Sequence, residues 1–372
     1  MSKRIYLDWN ATTPLRPEAR AAILAALDVA GNPSSVHAEG RAARRIVETA
    51  RQALAKAVGA QAASVVFTSG GTEANALALT PTASHPRLLM SAIEHASVLA
   101  GGRFAPNAVG IVGVHPSGLV DLDDLASKLA EGPPALVALM LANNETGAIQ
   151  PVREAAEIVH AAGGRMHVDA IQALGKIAVD LGTLGADSLS LSAHKIGGPT
   201  GVGALIVQGS GIADPLLRGG GQEQGRRAGT ENLAGIAGFG AAVRAAEADR
   251  LAHTQVIETL KDYLEMRLRR TANVQIFADD VARLPNTTLF SAPGLNAETA
   301  VIGFDLAGIA VSSGSACSSG KVQASHVLMA MGAAPDQARG AIRLSLGWTT
   351  TEDDVQCTIE AWRKLADTLL NP

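Results

Sequence analysis

The sequence contains little cysteine and few aromatic residues. Of its 372 residues only two are cysteines, Cys317 and Cys357, and aromatic residues make up 3%. Two cysteines so far apart allow one disulfide at most, and they exclude a CxxC framework for zinc or an iron-sulfur cluster. We therefore expect a protein of a reducing compartment that is stabilised by an ordinary hydrophobic core.

The sequence also lacks an excess of positive charge and a long apolar run. Lys and Arg number 31 against 35 Asp and Glu, a net charge of −4, which argues against a nucleic-acid or anionic-membrane surface. No stretch reaches the ~18 uninterrupted apolar residues of a membrane span, and the N-terminus has no apolar signal-peptide core. We expect a cytoplasmic protein with no direct nucleic-acid or membrane partner.

Two common nucleotide-binding motifs are missing as well. Neither Gly175-Lys176 nor Gly320-Lys321 is followed by the Ser or Thr of a P-loop, and Gly201-Val202-Gly203 lacks the third glycine of a GxGxxG motif. Nucleotide binding is disfavoured accordingly.

The chain does contain short apolar runs that alternate with amphipathic helical stretches between residues 64 and 207. Continuous apolar runs are typical of parallel strands covered by helices on both faces, so we predict an α/β fold with a mostly parallel sheet. The predicted strands are 64–68, 87–90, 111–114, 135–141, 165–168, 187–191 and 204–207. Helices are predicted between these strands, among them one between 135–141 and 165–168 with Pro151 in its first turn.

A change of pattern follows a long helical stretch at about 231–271. Shorter strands are predicted at 274–277, 287–291, 310–313 and 341–346, with a final helix over 351–370. We predict a large domain over 16–254 and a smaller α+β domain formed by 1–15 and 255–372.

Three features indicate chemistry. Gly70, Gly71 and Thr72 follow a predicted strand and open a helix, where free N–H groups and the helix dipole favour an anion such as a phosphate. Asp169 ends an apolar strand, where ligands of α/β sheets bind. Lys195 follows another strand in a stretch with little other charge, so burial should lower its pKa and favour covalent chemistry.

Each feature alone has an ordinary structural alternative. These are a βα turn capped by Thr72, a helix cap at Asp169 and a surface lysine at position 195. Taken together they meet the needs of pyridoxal 5'-phosphate, which are an anion site, an acid at the pyridine nitrogen and a lysine that binds the aldehyde.

With further motifs, this set identifies a family. The segments Tyr6 to Pro14 and Gly31 to Ser35 complete a resemblance over nearly the whole chain to fold-type I pyridoxal-phosphate enzymes of aminotransferase class V, within them the cysteine desulfurases of the NifS and IscS group. The resemblance implies a set of cofactor-binding residues, with Lys195 as the covalent anchor: Gly71, Thr72, His95, Asn144, Asp169, Gln172, Ser192, His194, Lys195 and Thr230.

Within that set, the resemblance implies individual roles. His95 stacks on the cofactor ring and shuttles protons, and Gln172 and Asn144 reach its phenolic oxygen. Thr230 contacts the cofactor phosphate that is bound in a neighbouring subunit, so a homodimer is implied. Thr230 alone could instead be the N-cap of the next helix, and His95 an ordinary helix-end histidine.

The two cysteines differ in their surroundings. Cys317 lies in Ser312 to Gly320, a run of small residues with no apolar face, so we predict an exposed thiol on a mobile arm. The run matches the sulfur-accepting loop of the desulfurases, and a transient iron-sulfur ligand role for Cys317 is conceivable. Cys357, beside the stripe of Val355, Ile359 and Trp362, is predicted to be packed and inert.

Arg343 is placed by the alternation of a strand. Ile342, Leu344 and Leu346 share one face, and Arg343 and Ser345 share the other. The resemblance implies that Arg343 and Asn144 bind the substrate; a solvated arginine is the alternative.

The implied activity is the conversion of L-cysteine to L-alanine, with the sulfur held as a persulfide on Cys317. From there it passes to an acceptor or iron-sulfur scaffold protein. Another class-V enzyme, an aminotransferase or a selenocysteine lyase, and an inactive regulatory homologue remain as alternatives. Intact Lys195, Asp169, His95 and Cys317 disfavour the last of these.

Overall fold

A seven-stranded sheet forms the centre of the protein. The computed structural model describes residues 4–209, 214–314 and 323–370, and Cys317 lies outside them. The sheet order is β2-β8-β7-β6-β5-β3-β4. Its strands are β2 (Val65–Thr68), β3 (Arg87–Ser91), β4 (Val109–Val112), β5 (Ala135–Met140), β6 (Arg165–Asp169), β7 (Ser188–Ser192) and β8 (Gly203–Val207).

Strand direction brings the important strand ends to one edge. Strand β8 is antiparallel to both of its neighbours, and the other adjacent pairs are parallel. Every strand except β8 therefore ends at the same edge of the sheet. Strands β5 and β7 are buried along their whole length, as expected for strands with helices on both faces.

The helices cover this sheet and build a smaller unit beside it. They are α1 (Pro17–Leu27), α2 (Ala38–Ala57), α3 (Gly71–Ala78), α4 (Ala96–Leu99), α5 (Leu122–Ala130), α6 (Val152–Ala161), α7 (Leu233–Thr271), α8 (Ala297–Leu306), α9 (His326–Ala330), α10 (Pro335–Arg339) and α11 (Glu352–Leu369). Pro151 is the N-cap of α6 rather than part of its first turn. Among the described residues, no helix combines the length and apolarity needed to cross a membrane.

Two small sheets complete the fold. An antiparallel sheet has the order β12-β13-β10-β9, and β1 pairs with β11 in parallel. These strands are β1 (Ile5–Tyr6), β9 (Gln275–Ile276), β10 (Thr287–Ser291), β11 (Ile309–Ala310), β12 (Ser312–Ser313) and β13 (Ile342–Ser345). The N-terminal strand thus joins elements that lie some 300 residues later in the sequence.

Helix α7 belongs to two hydrophobic cores. Its first half, including Ile236 and Phe239, packs into the core of the large sheet. Its second half, including Ile257 and Leu264, packs into a separate core with β10, β13 and α11. The predicted domain boundary at residue 254 falls between these two sets and stays a prediction.

Cys357 corrects one expectation. The structure places it on the exposed face of α11, whereas Val355, Ile359 and Trp362 are buried. Residues two positions apart on a helix point about 200° apart, so Cys357 lies opposite Val355. The prediction of a packed thiol at this position is wrong.

Candidate active site

The turn between β2 and α3 forms a close-fitting cradle. Gly71 is buried, and a Cβ added to it would lie 2.2 Å from Cδ1 of Ile171 and 3.5 Å from Cβ of Ser192. A larger residue there would displace the end of the Ile171 side chain, and Ser192 at the end of β7 borders the same space. The unpaired N–H groups of a helix start favour an anion at this position. The N-cap is Gly70, so the alternative of Thr72 as the cap is wrong.

Asp169 lies buried at the end of β6. Its Oδ1 accepts a hydrogen bond from the N–H of Ile171 at 3.0 Å, and its Oδ2 accepts one from Nδ2 of Asn75 at 2.8 Å. Burial raises the pKa of Asp169, and these hydrogen bonds oppose the rise. Among the described residues, no basic side chain forms an ion pair with it. A buried carboxylate with neutral donors is stabilised by a cationic partner, so this position suits a protonated ring nitrogen.

Asn75 organises the surroundings of Asp169, and sequence reasoning missed it. Its Nδ2 also donates to Oγ of Ser97 at 2.9 Å, and its Oδ1 faces Nε2 of His167 at 3.2 Å. His167 is fully buried, and burial lowers its pKa to about 3. Nothing in the pattern of α3 distinguishes Asn75 from an ordinary polar helix position.

His95 is the N-cap of α4, and its hydrogen bonds define its tautomer. Its Nδ1 accepts from the N–H of Ser97 at 3.1 Å and lies 2.8 Å from Oγ of Ser97. Because Nδ1 is an acceptor, the proton of the neutral ring is assigned to Nε2. Desolvation in the cleft, together with the charges of Lys195 and His326, lowers the pKa of His95.

Lys195 stands on a short 3₁₀ turn, Ala193–Lys195, directly after β7. Its Nζ donates to the backbone oxygens of Asn10 at 2.5 Å and Ala11 at 2.8 Å. Burial and the charge of Arg343 lower the pKa of Lys195 to about 8. Near neutral pH more of this amine is unprotonated than for a solvated lysine, as nucleophilic chemistry requires. The alternative of a surface lysine does not hold.

Asn10 connects several of these groups, and its role was not predicted. Its side chain is buried, and its backbone oxygen accepts from Nε2 of Gln172 at 2.9 Å as well as from Lys195. A second lysine, Lys176, donates to Oδ1 of Asn10 at 3.0 Å and to Oε1 of Gln172 at 2.7 Å. Burial lowers the pKa of Lys176 far below its usual range.

Arg343 is buried on β13 rather than solvated. Its Nη1 donates to the backbone oxygen of Asn144 at 3.0 Å, and its Nη2 donates to Oδ1 of Asp8 at 2.7 Å. Its Nε is buried, and among the described residues it has no hydrogen-bond partner. A buried donor without an acceptor is destabilising by about 1–3 kcal/mol, so this position suits a ligand oxygen.

His194 and Thr230 lie at the margins of this site. Nδ1 of His194 is 3.2 Å from Oγ1 of Thr12, and burial lowers the pKa of His194 to about 4. Thr230 is exposed and lines a cavity of about 140 Å³ together with Thr68 and Ser69. Asn232 is the N-cap of α7, so the alternative that assigned this role to Thr230 is wrong.

Two buried carboxyl groups near the site were also missed. Glu94 precedes His95; its Oε1 accepts from the N–H of Met140, and its Oε2 has no partner in the part of the chain that the structure describes. Burial raises the pKa of Glu94 well above the usual range. Glu145 follows Asn144 and accepts a hydrogen bond from Oγ of Ser325 at 2.5 Å. Burial raises the pKa of Glu145 to about 7.

Comparison with known proteins assigns the chain to a family. The pattern of the family described as Aminotransferase class-V matches residues 5–357. The chain belongs to this family. Class-V relatives include cysteine desulfurase IscS of Dictyoglomus turgidum, 39% identical over 99% of this chain and 96% of the relative. A cysteine desulfurase of Cereibacter sphaeroides is 42% identical over 99% of this chain and 97% of the relative.

Solved class-V structures agree with the fold. A NifS-like protein from Rickettsia africae superposes with a TM-score of 0.91 at 38% identity, covering 98% of this chain and 100% of the other. A second NifS-like protein gives a TM-score of 0.90 at 34% identity, covering 99% and 100%. The predicted fold class, the enzyme class of pyridoxal-phosphate-dependent cysteine desulfurase and the cofactor are confirmed by these likenesses.

The residues present fit the cofactor of the class-V family. A Cβ added to Gly70 would meet no atom of the described residues within 4 Å, so the start of α3 is open to a phosphate; Asp169 suits a protonated ring nitrogen, and Lys195 offers an amine of lowered pKa. All three come from strand ends at one edge of the sheet. Among the residues that the structure describes, no cluster of His, Cys, Asp or Glu side chains is arranged to hold a metal ion.

Proposed function

We propose that this cysteine desulfurase converts L-cysteine to L-alanine with the residues named here, and passes the sulfur from Cys317 to an acceptor protein. The observation that supports the residue assignment is the convergence of Gly71, Asp169 and Lys195 at one sheet edge. The relatives are named cysteine desulfurases, which supports L-cysteine as the substrate.

The phosphate is held by the start of α3 and the end of β7. Backbone N–H groups of Gly71 and Thr72 point from the helix start, and Ser192 and His194 supply side-chain groups. Because its pKa is about 4, His194 acts at neutral pH as an uncharged hydrogen-bonding group. Thr230 of a second copy adds a hydroxyl, so the functional unit is a homodimer.

Asp169 and Lys195 control the reactive part of the cofactor. Bound pyridoxal phosphate supplies an electron sink that stabilises negative charge on the substrate carbon atoms. Asp169 keeps the ring nitrogen protonated, and Asn75 and Ile171 fix the orientation of its carboxylate. Lys195 is the covalent anchor, and its amine, with a pKa of about 8, also accepts the proton removed from the substrate α-carbon.

Gln172 and Asn144 act on the phenolic oxygen. Lys176 donates to Oε1 of Gln172, which fixes the orientation of this amide and leaves its Nε2 as the donor. Asn144 contributes from the end of β5, where its backbone oxygen is tied to Arg343.

His95 is assigned as a proton donor. Its Nδ1 accepts from Ser97, so the neutral ring has its proton on Nε2; the ring delivers a proton to the substrate carbon from its doubly protonated form and returns to the neutral one. Removal of the Cys317 proton by Nε2 would require the other tautomer, in which Nδ1 loses its hydrogen bond from Ser97. A group of the bound substrate is therefore the better base for the thiol.

Arg343 binds the carboxylate of the substrate. Its unpartnered Nε and its Nη2 form the planar pair of donors that matches a carboxylate. This contact places the amino acid between β13 and Lys195.

Cys317 receives the sulfur. Its thiolate forms an S–S bond with the substrate sulfur while the carbon–sulfur bond breaks and its electron pair stays on carbon, which takes up a proton. Atoms and charge balance, because thiolate, cysteine and one proton give the persulfide and alanine. An unperturbed thiol is only a few per cent thiolate at pH 7, so deprotonation contributes to the barrier.

The further assignments concern the setting of the enzyme. We propose that the acceptor is a sulfur-carrier or iron-sulfur scaffold protein and that the enzyme acts in the cytoplasm. We also propose that 16–254 form the cofactor domain and that 1–15 with 255–372 form the domain that bears Cys317.

Replacing each cysteine in turn tests the proposal. Cys317→Ser should keep the absorbance of the bound cofactor and its spectral response to L-cysteine but lose alanine and sulfide formation. The matched control Cys357→Ser should behave as wild type, because Cys357 lies on the exposed face of α11. After incubation with L-cysteine, mass spectrometry should find one reducible sulfur on Cys317.

Two results would contradict this proposal. One is full alanine production by Cys317→Ser; the other is a persulfide on Cys357 instead. Either result would mean that Cys317 is not the nucleophile.

A further inference from the structure

Asp8 is held beside Arg343 by backbone pairing. It follows β1 and forms a parallel β-bridge with Ser345, two residues beyond Arg343 on the neighbouring strand. The N–H of Trp9 donates to the backbone oxygen of Ser345 at 3.3 Å, which fixes this register. The Asp8 side chain is 22% exposed against 6% for Arg343, so the carboxylate lies on the more accessible side of the pair.

The hydrogen bonds that the guanidinium of Arg343 already makes limit where the carboxylate of a ligand can bind. A bidentate carboxylate uses either Nε with Nη2 or Nη1 with Nη2, and both pairs include Nη2. Nη2 donates to Asp8 at 2.7 Å, and Nη1 donates to Asn144 at 3.0 Å. A carboxylate ligand that reaches the unpartnered Nε must therefore lie next to the Asp8 carboxylate.

Asp8 also acts on the second cation of the site. The charge of Arg343 lowers the pKa of Lys195, whereas the charges of Asp8 and Asp169 raise it. Asp8 therefore acts electrostatically on two groups of the site. One is Arg343, which is proposed to bind the substrate carboxylate, and the other is the amine of Lys195, beside which the substrate amine must bind. A ligand with a carboxylate alone places a second anion beside Asp8, while an amino acid also brings a compensating cation.

We propose that Asp8 is a specificity-determining residue that selects α-amino acids over simple carboxylates at Arg343. The proposal rests on the proposed function, in which Arg343 binds the substrate carboxylate. Repulsion by Asp8 rejects anions that have no amine, and the ammonium group of an amino acid offsets that repulsion. Such discrimination by a repulsive group is a general source of specificity.

Binding of two small probes to the holoenzyme tests this role. L-Alanine and propionate share a carbon skeleton, and only alanine has an amine; calorimetry gives the affinity of each. Wild type should bind alanine at least tenfold more tightly than propionate. Asp8→Asn should bind propionate at least tenfold more tightly than wild type does, so that the ratio falls. Asp8→Glu, which retains the charge, should keep most of the ratio.

Control variants separate the possible failures. Asp305→Asn removes an exposed aspartate that pairs with Arg4, and it should leave both affinities unchanged. Arg343→Lys should weaken both probes. If Arg343→Lys weakens both but Asp8→Asn leaves the ratio unchanged, the role of Asp8 is overturned while the proposed function stands. If Arg343→Lys changes neither affinity, the proposed carboxylate site itself fails. Should Asp8→Asn not fold, Asp8→Ser gives the same test, because it also removes the charge.

Discussion

Two groups of residues form this site, and they differ in how the chain brings them together. The first, which we call the sheet-edge group, consists of Gly71, His95, Asp169 and Lys195 at the ends of strands in one sheet. The second, the N-terminal group, consists of Asp8, Asn10 and Arg343 and is assembled from opposite ends of the chain.

The two groups differ in what positions their side chains. Each sheet-edge residue is positioned by its own strand and the neighbouring one, so its place follows from local sequence and parallel pairing. Asn10, by contrast, depends on side-chain partners in two distant segments: Lys176 in one, and Asn286 and Thr287 in the other. We expect the chemistry to depend on the sheet-edge group and the N-terminal group to tune orientation and selectivity.

The largest effect is expected at Lys195. Lys195→Ala should abolish covalent attachment of the cofactor and lower turnover at least ~1,000-fold, since the amine is both anchor and base. Reduction with borohydride followed by peptide mass mapping measures the attachment. Lys176→Met is the matched control and should retain it. Attachment at another lysine in Lys195→Ala would contradict the assignment.

A smaller loss is expected at Asp169. Asp169→Asn should retain the cofactor but lower turnover by ~100-fold or more, because a neutral amide cannot hold the ring nitrogen protonated. Exchange of the substrate α-proton with deuterium, followed by NMR, should slow in parallel. Unchanged exchange would show that Asp169 only fills space.

The N-terminal group should respond more weakly. Asn10→Ala keeps the backbone oxygen that accepts from Lys195 but loses the side-chain bonds to Lys176 and Asn286. We expect turnover to fall about tenfold or less and the free energy of unfolding to fall by ~1–3 kcal/mol, as for a broken buried hydrogen-bond network. A loss as large as that of Lys195→Ala would remove the distinction between the two groups.

The smallest effect concerns stability alone. His167 has a pKa of about 3 when folded and an ordinary value near 6.5 when unfolded, so the unfolded chain binds the extra proton between these values. Its contribution makes the free energy of unfolding fall as the pH falls from about 6.5 to 3, by ~1.4 kcal/mol per pH unit. His167→Gln should reduce that slope, as measured by urea unfolding between pH 4 and 6. An unchanged slope would contradict the neutral buried state.

Prediction from sequence succeeded where the signal was local. The apolar runs predicted the strands of the large sheet, and residues at their ends, such as Asp169 and Lys195, could be named because parallel strands share an edge. Asn75 and Asn10 were missed because an isolated asparagine has no periodic signature; its importance comes from partners distant in sequence. Cys357 was misplaced for a related reason, since proximity to an apolar stripe does not fix the helix face.

Helix α7 has a mechanical consequence for the whole molecule. With 39 residues at 1.5 Å each, it is a rod of about 58 Å whose two halves are buried in different cores. Unfolding of one core would remove the packing of one half of α7 and destabilise the other half. Neither core can therefore unfold far without weakening the other. Amide protons along its middle should therefore exchange only by an opening that involves both cores, and this single helix makes them one cooperative folding unit.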